Sequence, residues 1–407
     1  MTSTLFTDTP DSLFPPTLAA AQARLAAVRP GDYARTRNHL QGAVTRLSPY
    51  ITHGFVSLPQ VLQAVLQRQK LDLQHKFIYE LGWREYFHHV WQHEGAGIFE
   101  SFHAGPLADA AFARELPADI RQARTGVPVI DQAVRTLYAT GWLHNHARMW
   151  LASYVVHLRK VHWRAGADWL YAHLLDGDLA SNHLSWQWVA GTGSHKPYLF
   201  NADNVARYAP LEWHSPGTAI DQSYELLERM AHSPKPCRPE AAAAQAGGID
   251  EPALRARPVL PGATAPDSAT LSGRPVQLVH PWCLGEAAAA PLNALRVGLL
   301  VTEFHDAWPW SGARWQWVGQ RMQEVCDVVW CAPAAELQTA LSAATSIYGV
   351  QDPHLLWCGL RTPDSTRDLP PPPRLFAPVP MRCRSFSQYW SRVTKGVREA
   401  SELIERL

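Results

Sequence analysis

The chain has 407 residues, 46% of them hydrophobic and 18% charged, and a formal net charge of +1. That balance reads as soluble and globular, with two domains the expectation at this length. It excludes a whole-molecule field that pulls the protein onto nucleic acid, although a local basic patch stays compatible with it. No uninterrupted apolar run is long enough to span a membrane. The start, MTSTLFTDTPDSLF, lacks the basic opening and long apolar run of a secretory signal. Six cysteines, Cys237, Cys283, Cys326, Cys331, Cys358 and Cys383, are scattered without CxxC spacing. This argues against a zinc ribbon or iron–sulfur cluster and for reduced thiols in a cytoplasmic protein. The seventeen tryptophans are many for this length, and packing accounts for most of them.

In chain order, residues 14–210 read as helix after helix. Pro15-Pro16 and a Thr17 cap open an alanine-rich helix over Thr17–Val28. Ser57–Gln69 follows, with Val61, Leu62, Val65 and Leu66 along one stripe. A longer amphipathic helix covers Lys76–His93, and others cover Val129–Tyr138, Asn145–His157 and Ala167–Leu174. No fixed repeat period is present, so an irregular bundle is expected rather than a solenoid. From His232 the chain turns rich in Pro, Ala and Gly, which predicts a linker over 232–275, at least partly disordered. Beyond it, Val276–Val279, Arg296–Thr302, Val328–Cys331 and Leu355–Trp357 read as strands. Trp315–Glu324 and Ala334–Ala343 read as helices. Alternation of the two predicts a small parallel sheet in 276–407.

Chemistry concentrates in DGDLASNHLSWQWVAGTGSHKPY, residues 176–198. Asp176, Asp178 and Asn182 can lock a planar hydrogen-bonding ligand beside the aromatic faces of Trp186 and Trp188. Read alone, this is a site for an aromatic cofactor or a nucleobase. In FIYELGWREYFHHVWQH, Glu80, Trp83, Arg84 and Phe87 share one helical face. By itself that pattern reads as a Glu80–Arg84 surface pair beside a core tryptophan. In TGWLHNHARMWLASY, Trp142, Asn145 and Met149 share a face with Arg148 adjacent. The pairs His144/His146 and His89/His93 have metal-like spacing but no further ligand at suitable distance, so no metal is expected.

These blocks resemble the photolyase and cryptochrome family. DGDLASNHLSWQW is similar to its flavin signature, DGD, an Asn, then WQW. ELGWREYF resembles ELxWREF, TGWLHNHARM resembles TGWMHNRLRM of the dimer-repairing branch, and GAVTRLSPYITHG resembles the phosphate loop GTSRLSPYLxxG. The blocks run in family order from about Phe14 to Pro210, half of the chain.

The resemblance implies FAD held in an all-helical domain, residues 1–231, so that the fold is mainly α with a smaller α/β domain after the linker. Tyr33 would close over the cofactor. Thr45, Leu47 and Ser48 would offer a hydroxyl and amides to its pyrophosphate, with Val44 in place of a hydroxyl residue. Trp142, Arg148 paired to Asp176, Asp178 and Asn182 would hold the rest. Glu80, Trp83, Asn145, Met149 and Trp188 would meet a flipped-out pyrimidine dimer, with Arg84 and His146 toward the DNA. Trp186 and Trp163 match the first two members of an electron-transfer chain. The third falls near Ile120, and Trp150, Trp169 or a tyrosine would have to substitute.

The block SHKPYLFNADNVARY, shorter than its usual equivalent, would border the DNA groove. Family members carry an antenna-chromophore domain in front of the helical one; here that domain is lacking in front. RWQWVGQRMQEVCDVVWCAPAAELQTAL is similar in rhythm to part of it, and RLFAPVPMRCRSFSQYW resembles the connection leaving it. The expectation is a relocated, reduced antenna-type domain, with an unrelated α/β module as the alternative and a second chromophore open. The implied activity is light-driven splitting of cyclobutane pyrimidine dimers in DNA by a monomeric carbon–carbon lyase. The alternatives are a cryptochrome-like blue-light sensor and a helical scaffold without flavin. Six-four photoproduct repair is disfavoured because Asn145 and Met149 stand where its histidine pattern is expected.

Overall fold

A computed structural model describes residues 13–239, 247–258, 260–286, 290–360 and 369–406. The first half is helical. Thr17 accepts from the Ala20 amide and starts α1, Leu18–Ala26. α2 spans Pro30–Thr36 and α3 Ser48–Thr52. Ser57 and Gln60 close a reciprocal capping box at the start of α4, Leu58–Leu66, whose Val61, Leu62 and Val65 are fully buried. α5, Lys76–Glu94, is the longest helix among the described residues. α6 is Pro128–Thr140, α7 Asn145–Ser153, α8 Trp163–His173, α9 Leu179–Ala190, α10 Ala202–Tyr208 and α11 Tyr224–Ala231. A π-helical turn, Tyr154–Leu158, prolongs α7 to the predicted His157.

The second half is built on a five-stranded sheet: β1 Ala263–Thr264, β2 Pro275–Val279, β3 Leu295–Val301, β4 Val328–Ala332 and β5 Ser346–Tyr348. Its order is β1-β4-β3-β2-β5, with every neighbouring pair parallel. α12, Gly312–Val325, and α13, Ala334–Leu341, connect the strands, and α14, Phe386–Val393, follows near the end.

One sequence expectation is corrected, and two elements are added to those expected. Leu355–Trp357 lies in a helix, Pro353–Trp357, started by the Asp352 cap and Pro353. β5 and α14 were not foreseen. The described part of the supposed linker is ordered: it contributes β1, buries Leu271, and straps over α8 where Glu251 accepts from Trp169 Nε1 at 3.1 Å. Its composition denies it a core of its own without preventing it from lying on another. Residues 240–246 and 259 of that stretch lie outside the described residues.

Two cores result. One is made of α6–α11 with the segments between them. The other is shared: Phe14, Tyr50, Phe55 and Phe77 of the helical half join Trp310, Trp317, Phe386 and Trp390 of the second half. Among the described residues no helix is long and apolar enough to cross a membrane. All six cysteines are free thiols.

Candidate cofactor site

The seam between the two cores opens into a cavity of about 800 Å³. That lies within the range of small-molecule and cofactor sites. α5 supplies Glu80, Trp83, Arg84 and Phe87; α7 supplies Asn145, His146, Arg148 and Met149; α9 supplies Asn182, Trp186 and Trp188. Tyr33, Thr45, Ser48, Trp142, Asp176 and Asp178 also line it.

Local geometry explains how distant segments meet here. Gly141 ends α6 at φ 64°, and a Cβ there would come within 2.5 Å of Leu175. Glycine is therefore needed both for the left-handed turn and for close contact with the strand of chain entering the Asp176–Asp178 loop. His144 then caps α7, accepting from the His146 amide. Asp178 caps α9, accepting from the Ser181 amide at 3.1 Å.

Charge is held in pairs. Arg148 Nη2 donates to both carboxylate oxygens of Asp176, at 2.7 and 2.9 Å, while its Nε donates to Leu143 O. Asp178, 2% exposed, meets Arg84 at 3.2 Å and His88 at 2.6 Å. Glu80 meets Arg37 at 3.4 Å. Burial opposes ionisation of Asp178, but His88 and Arg84 outweigh it and hold its carboxyl well below the usual value. A carboxyl depressed in the folded state lends stability above its ordinary pKa of 3.8 and loses it as pH falls. Asp178→Asn is therefore expected to lower stability by about 2 kcal/mol at neutral pH and to flatten the acid limb below pH 3.8. Denaturant unfolding of both proteins against pH checks this.

The structure gathers nearly all residues singled out from the sequence, with corrections. Leu47 is buried in the shared core and does not line the cavity; its amide donates to Thr45 Oγ1 at 3.3 Å. Trp163, expected behind Trp186 rather than in the cavity, is buried, with Nε1 donating to Ser101 Oγ. Trp186 sits against Gly166, one turn from Trp163 on α8, and Ile120 is buried. Arg84 pairs with Asp178 and donates to Thr52 Oγ1, so it does not pair with Glu80 or face outward. His89 and His93 are engaged: Cys383 N donates to His89 Nε2, and His93 Nε2 contacts Val379 O. Among the described residues no group of His, Cys, Asp or Glu is arranged to hold a metal.

Sequence reasoning missed Arg37, Asn38, Arg46, Tyr198 and Tyr208 in the lining. Arg46 stands at φ 52° with its guanidinium 5.5 Å from the Trp142 ring centroid. Trp142 Nε1 in turn donates to Ser48 Oγ at 3.2 Å. Tyr198 packs on Trp188, which is 39% exposed at the mouth, and Tyr208 stacks on His146. Trp83 lies parallel to Phe386 of α14, 4.1 Å between ring centroids.

The lining fits FAD by its chemistry. Hydroxyls and a guanidinium at Thr45, Arg46 and Ser48 suit phosphates. Carboxylates, an amide and indole faces at Asp176, Asp178, Asn182, Trp142 and Trp186 suit a planar ring with donors and acceptors on its rim. Asn182 Nδ2 is fixed by donating to Ala167 O at 2.8 Å.

The family model for the FAD binding domain of DNA photolyase matches residues 63–215. A deoxyribodipyrimidine photo-lyase of Streptomyces griseus is 35% identical over 209 residues, 48% of this chain and 46% of its own length. One from Thermus thermophilus is 36% identical over 46% of this chain and 44% of its own. Cryptochrome-1 of Arabidopsis thaliana is 31% identical over 40% of this chain and 25% of its own. The chain thus spans about half or less of the length of these relatives. Residues 63–215 match the FAD binding domain of DNA photolyase, and about half of the chain is similar in sequence to photolyases and cryptochromes.

Proposed function

We propose that this protein repairs DNA by splitting cyclobutane pyrimidine dimers in a light-driven, FAD-dependent reaction. One observation carries the reading. A single cavity joins the flavin-suited groups Asp176, Asp178 and Asn182 to Glu80, Trp83, Asn145, Met149 and Trp188, the set suited to a flipped-out dimer. Reduced FAD, excited by light, would supply the electron that opens the dimer.

The protein's own part is binding, orientation and polarity. Arg148 and Asp176 fix each other and Asp178 caps α9, and these groups would hold the ring of the cofactor. Thr45 and Ser48 would offer hydroxyls to the phosphates, and Tyr33 would close over the cofactor. Trp83 and Trp188 would form aromatic walls for the extruded bases, with Glu80 reaching their polar edge. Asn145, exposed at the start of α7, and Met149 beside it line the same compartment. Arg84 acts by positioning Asp178, and His146, whose burial lowers its pKa, borders the DNA side uncharged. Trp186 and Trp163 form a candidate electron route leading away from the cavity along α8.

The α/β half is proposed to be a relocated, reduced antenna-type domain that works as a buttress. Chain order reverses between β2 and β5, where open parallel sheets usually take a ligand beyond their carboxyl ends. Trp282 stacks there on His354, 4.2 Å between centroids, and His53 of the helical half reaches Pro281 O. A crevice so filled supports a structural role over a second chromophore.

The test is direct. FAD-loaded, reduced protein illuminated with a thymine-dimer oligonucleotide is expected to lose dimer, and Trp188→Ala to weaken binding of that oligonucleotide roughly five- to 150-fold, as expected from ~1–3 kcal/mol per stacked base. A cryptochrome-like light sensor is the second reading, supported by cryptochromes among the relatives. Retained flavin without dimer loss would favour it.

A further inference from the structure

Arg314 of α12 is fully buried and belongs to the second half of the chain, yet it ends beneath the Asp176–Asp178 loop. Its Nη2 donates to Gly177 O at 2.7 Å and its Nη1 to Tyr171 O at 3.2 Å. A Cβ on Gly177 would come within 2.4 Å of Nη1, so the loop closes on the guanidinium because position 177 has no side chain. The guanidinium lies 3.9 Å from the Trp310 ring centroid and 4.8 Å from that of Tyr171. Nε is buried without a hydrogen-bond partner.

A guanidinium out of water costs several kcal/mol unless opposite charge is near. The Arg314 guanidinium donates to two carbonyls with the Tyr171 side chain as a further partner; burial lowers its pKa, and Tyr171, Asp176 and Asp178 pull it back only in part. The neighbouring His53 and His305 stay neutral, burial and the Arg314 charge both disfavouring their protonation. If the role were only to hold two carbonyls, a neutral amide would serve at less cost. Each carboxylate lining the cavity is met by an arginine, Glu80 by Arg37, Asp178 by Arg84 and Asp176 by Arg148, and Arg46 lines the cavity beside Trp142. Arg314 adds a further positive charge, placed against Gly177 in the Asp176–Asp178 loop.

We infer that Arg314 is a positioning residue with an electrostatic role: it clamps the Asp176–Asp178 loop and biases bound FAD toward its anionic reduced form. This rests on the FAD reading of the cavity. Oxidised FAD takes two electrons and one proton to reach that form and gains one negative charge. A fixed cation favours the product of that uptake, whichever external reductant supplies the electrons.

The experiment uses the full chain loaded with FAD and titrated with dithionite against a reference dye. Arg314→Gln is expected to lower the preference for reduced over oxidised FAD about tenfold, the size of one unit charge acting across roughly 12 Å at an effective dielectric of ~20, or ~30 mV for two electrons. Arg314→Lys, which keeps the charge, should stay within about threefold of the parent. If Arg314→Gln does not fold, Arg314→Met, which keeps volume against Trp310, carries the comparison. An unchanged midpoint in the neutral variant overturns the inference, as does a lysine variant displaced as far as glutamine, which would mark a purely structural clamp. A parent protein that takes up no FAD overturns the cofactor reading itself, and the inference with it.

Discussion

A fragment ending at residue 231 is expected to be insoluble and to hold no flavin, even though it contains every residue proposed to touch FAD or DNA. Trp317 of α12 is fully buried between Tyr50, His53 and Phe55 of the helical half, and its Nε1 donates to Phe14 O. Removing one such indole costs about 3–5 kcal/mol, against a total stability of roughly 5–15 kcal/mol. Truncation also strips polar partners. Buried Glu85 accepts from the Leu375 amide at 2.7 Å, and His89 from the Cys383 amide at 2.9 Å. On α5, Trp390 fills the face left open by Gly82, and Phe386 backs Trp83. Without the second half, α5 would present these groups to water while still carrying Glu80, Trp83 and Arg84. Soluble yield and flavin absorbance of the fragment against the full chain measure the effect. A soluble, yellow fragment would show that the shared core is dispensable. Trp317→Ala in the full chain is the graded version, expected to lower the unfolding midpoint without abolishing the fold.

That dependence was not legible in the sequence, and the reason is physical. Periodicity and caps report what a segment does with its own neighbours, so α1, α4, α5 and the strands β2, β3 and β4 were readable. A Pro- and Ala-rich stretch says only that it builds no core itself. Whether the segments on either side share one is decided by Trp317, Arg314 and Phe386, and nothing local to those residues names Tyr50, Gly177 or Trp83 as partners. Leu355–Trp357 failed differently: a short apolar run is ambiguous between strand and helix, but Asp352-Pro353 ahead of it was a readable helix start. Ser385 with Gln388 three residues on was likewise a readable start for α14. At the site, the motif blocks brought the aromatic and carboxylate groups together. Arg37 went unnoticed because it lies outside the strongest blocks, and Arg84 was given an outward role because helical spacing alone does not reveal Asp178 across the cavity.

Glu80→Ala is expected to keep FAD and lose dimer splitting by on the order of a hundredfold, the usual cost of removing one preorganised polar group from a reacting centre. The carboxyl lines the cavity and pairs with Arg37, whereas Asp176 and Asp178 pair with Arg148 and Arg84. Burial raises its pKa, while Arg37 at 3.4 Å pulls it back. A carboxyl raised in the folded state favours its protonated form there, so its contribution to stability is full below the ordinary value of 4.5 and fades as pH rises through the folded one. The same sign applies to chemistry. If the protonated carboxyl donates to the base that receives an electron, repair should decline as pH rises through that folded value. Glu80→Gln, permanently neutral and able to donate, should then flatten the decline and retain more activity than Glu80→Ala. Single-turnover dimer loss against pH for the three proteins decides this. Equal loss in both variants would assign Glu80 to charge or to holding Arg37. Full activity in Glu80→Ala would remove it from the reaction and leave Trp83 and Trp188 as the groups that meet the dimer.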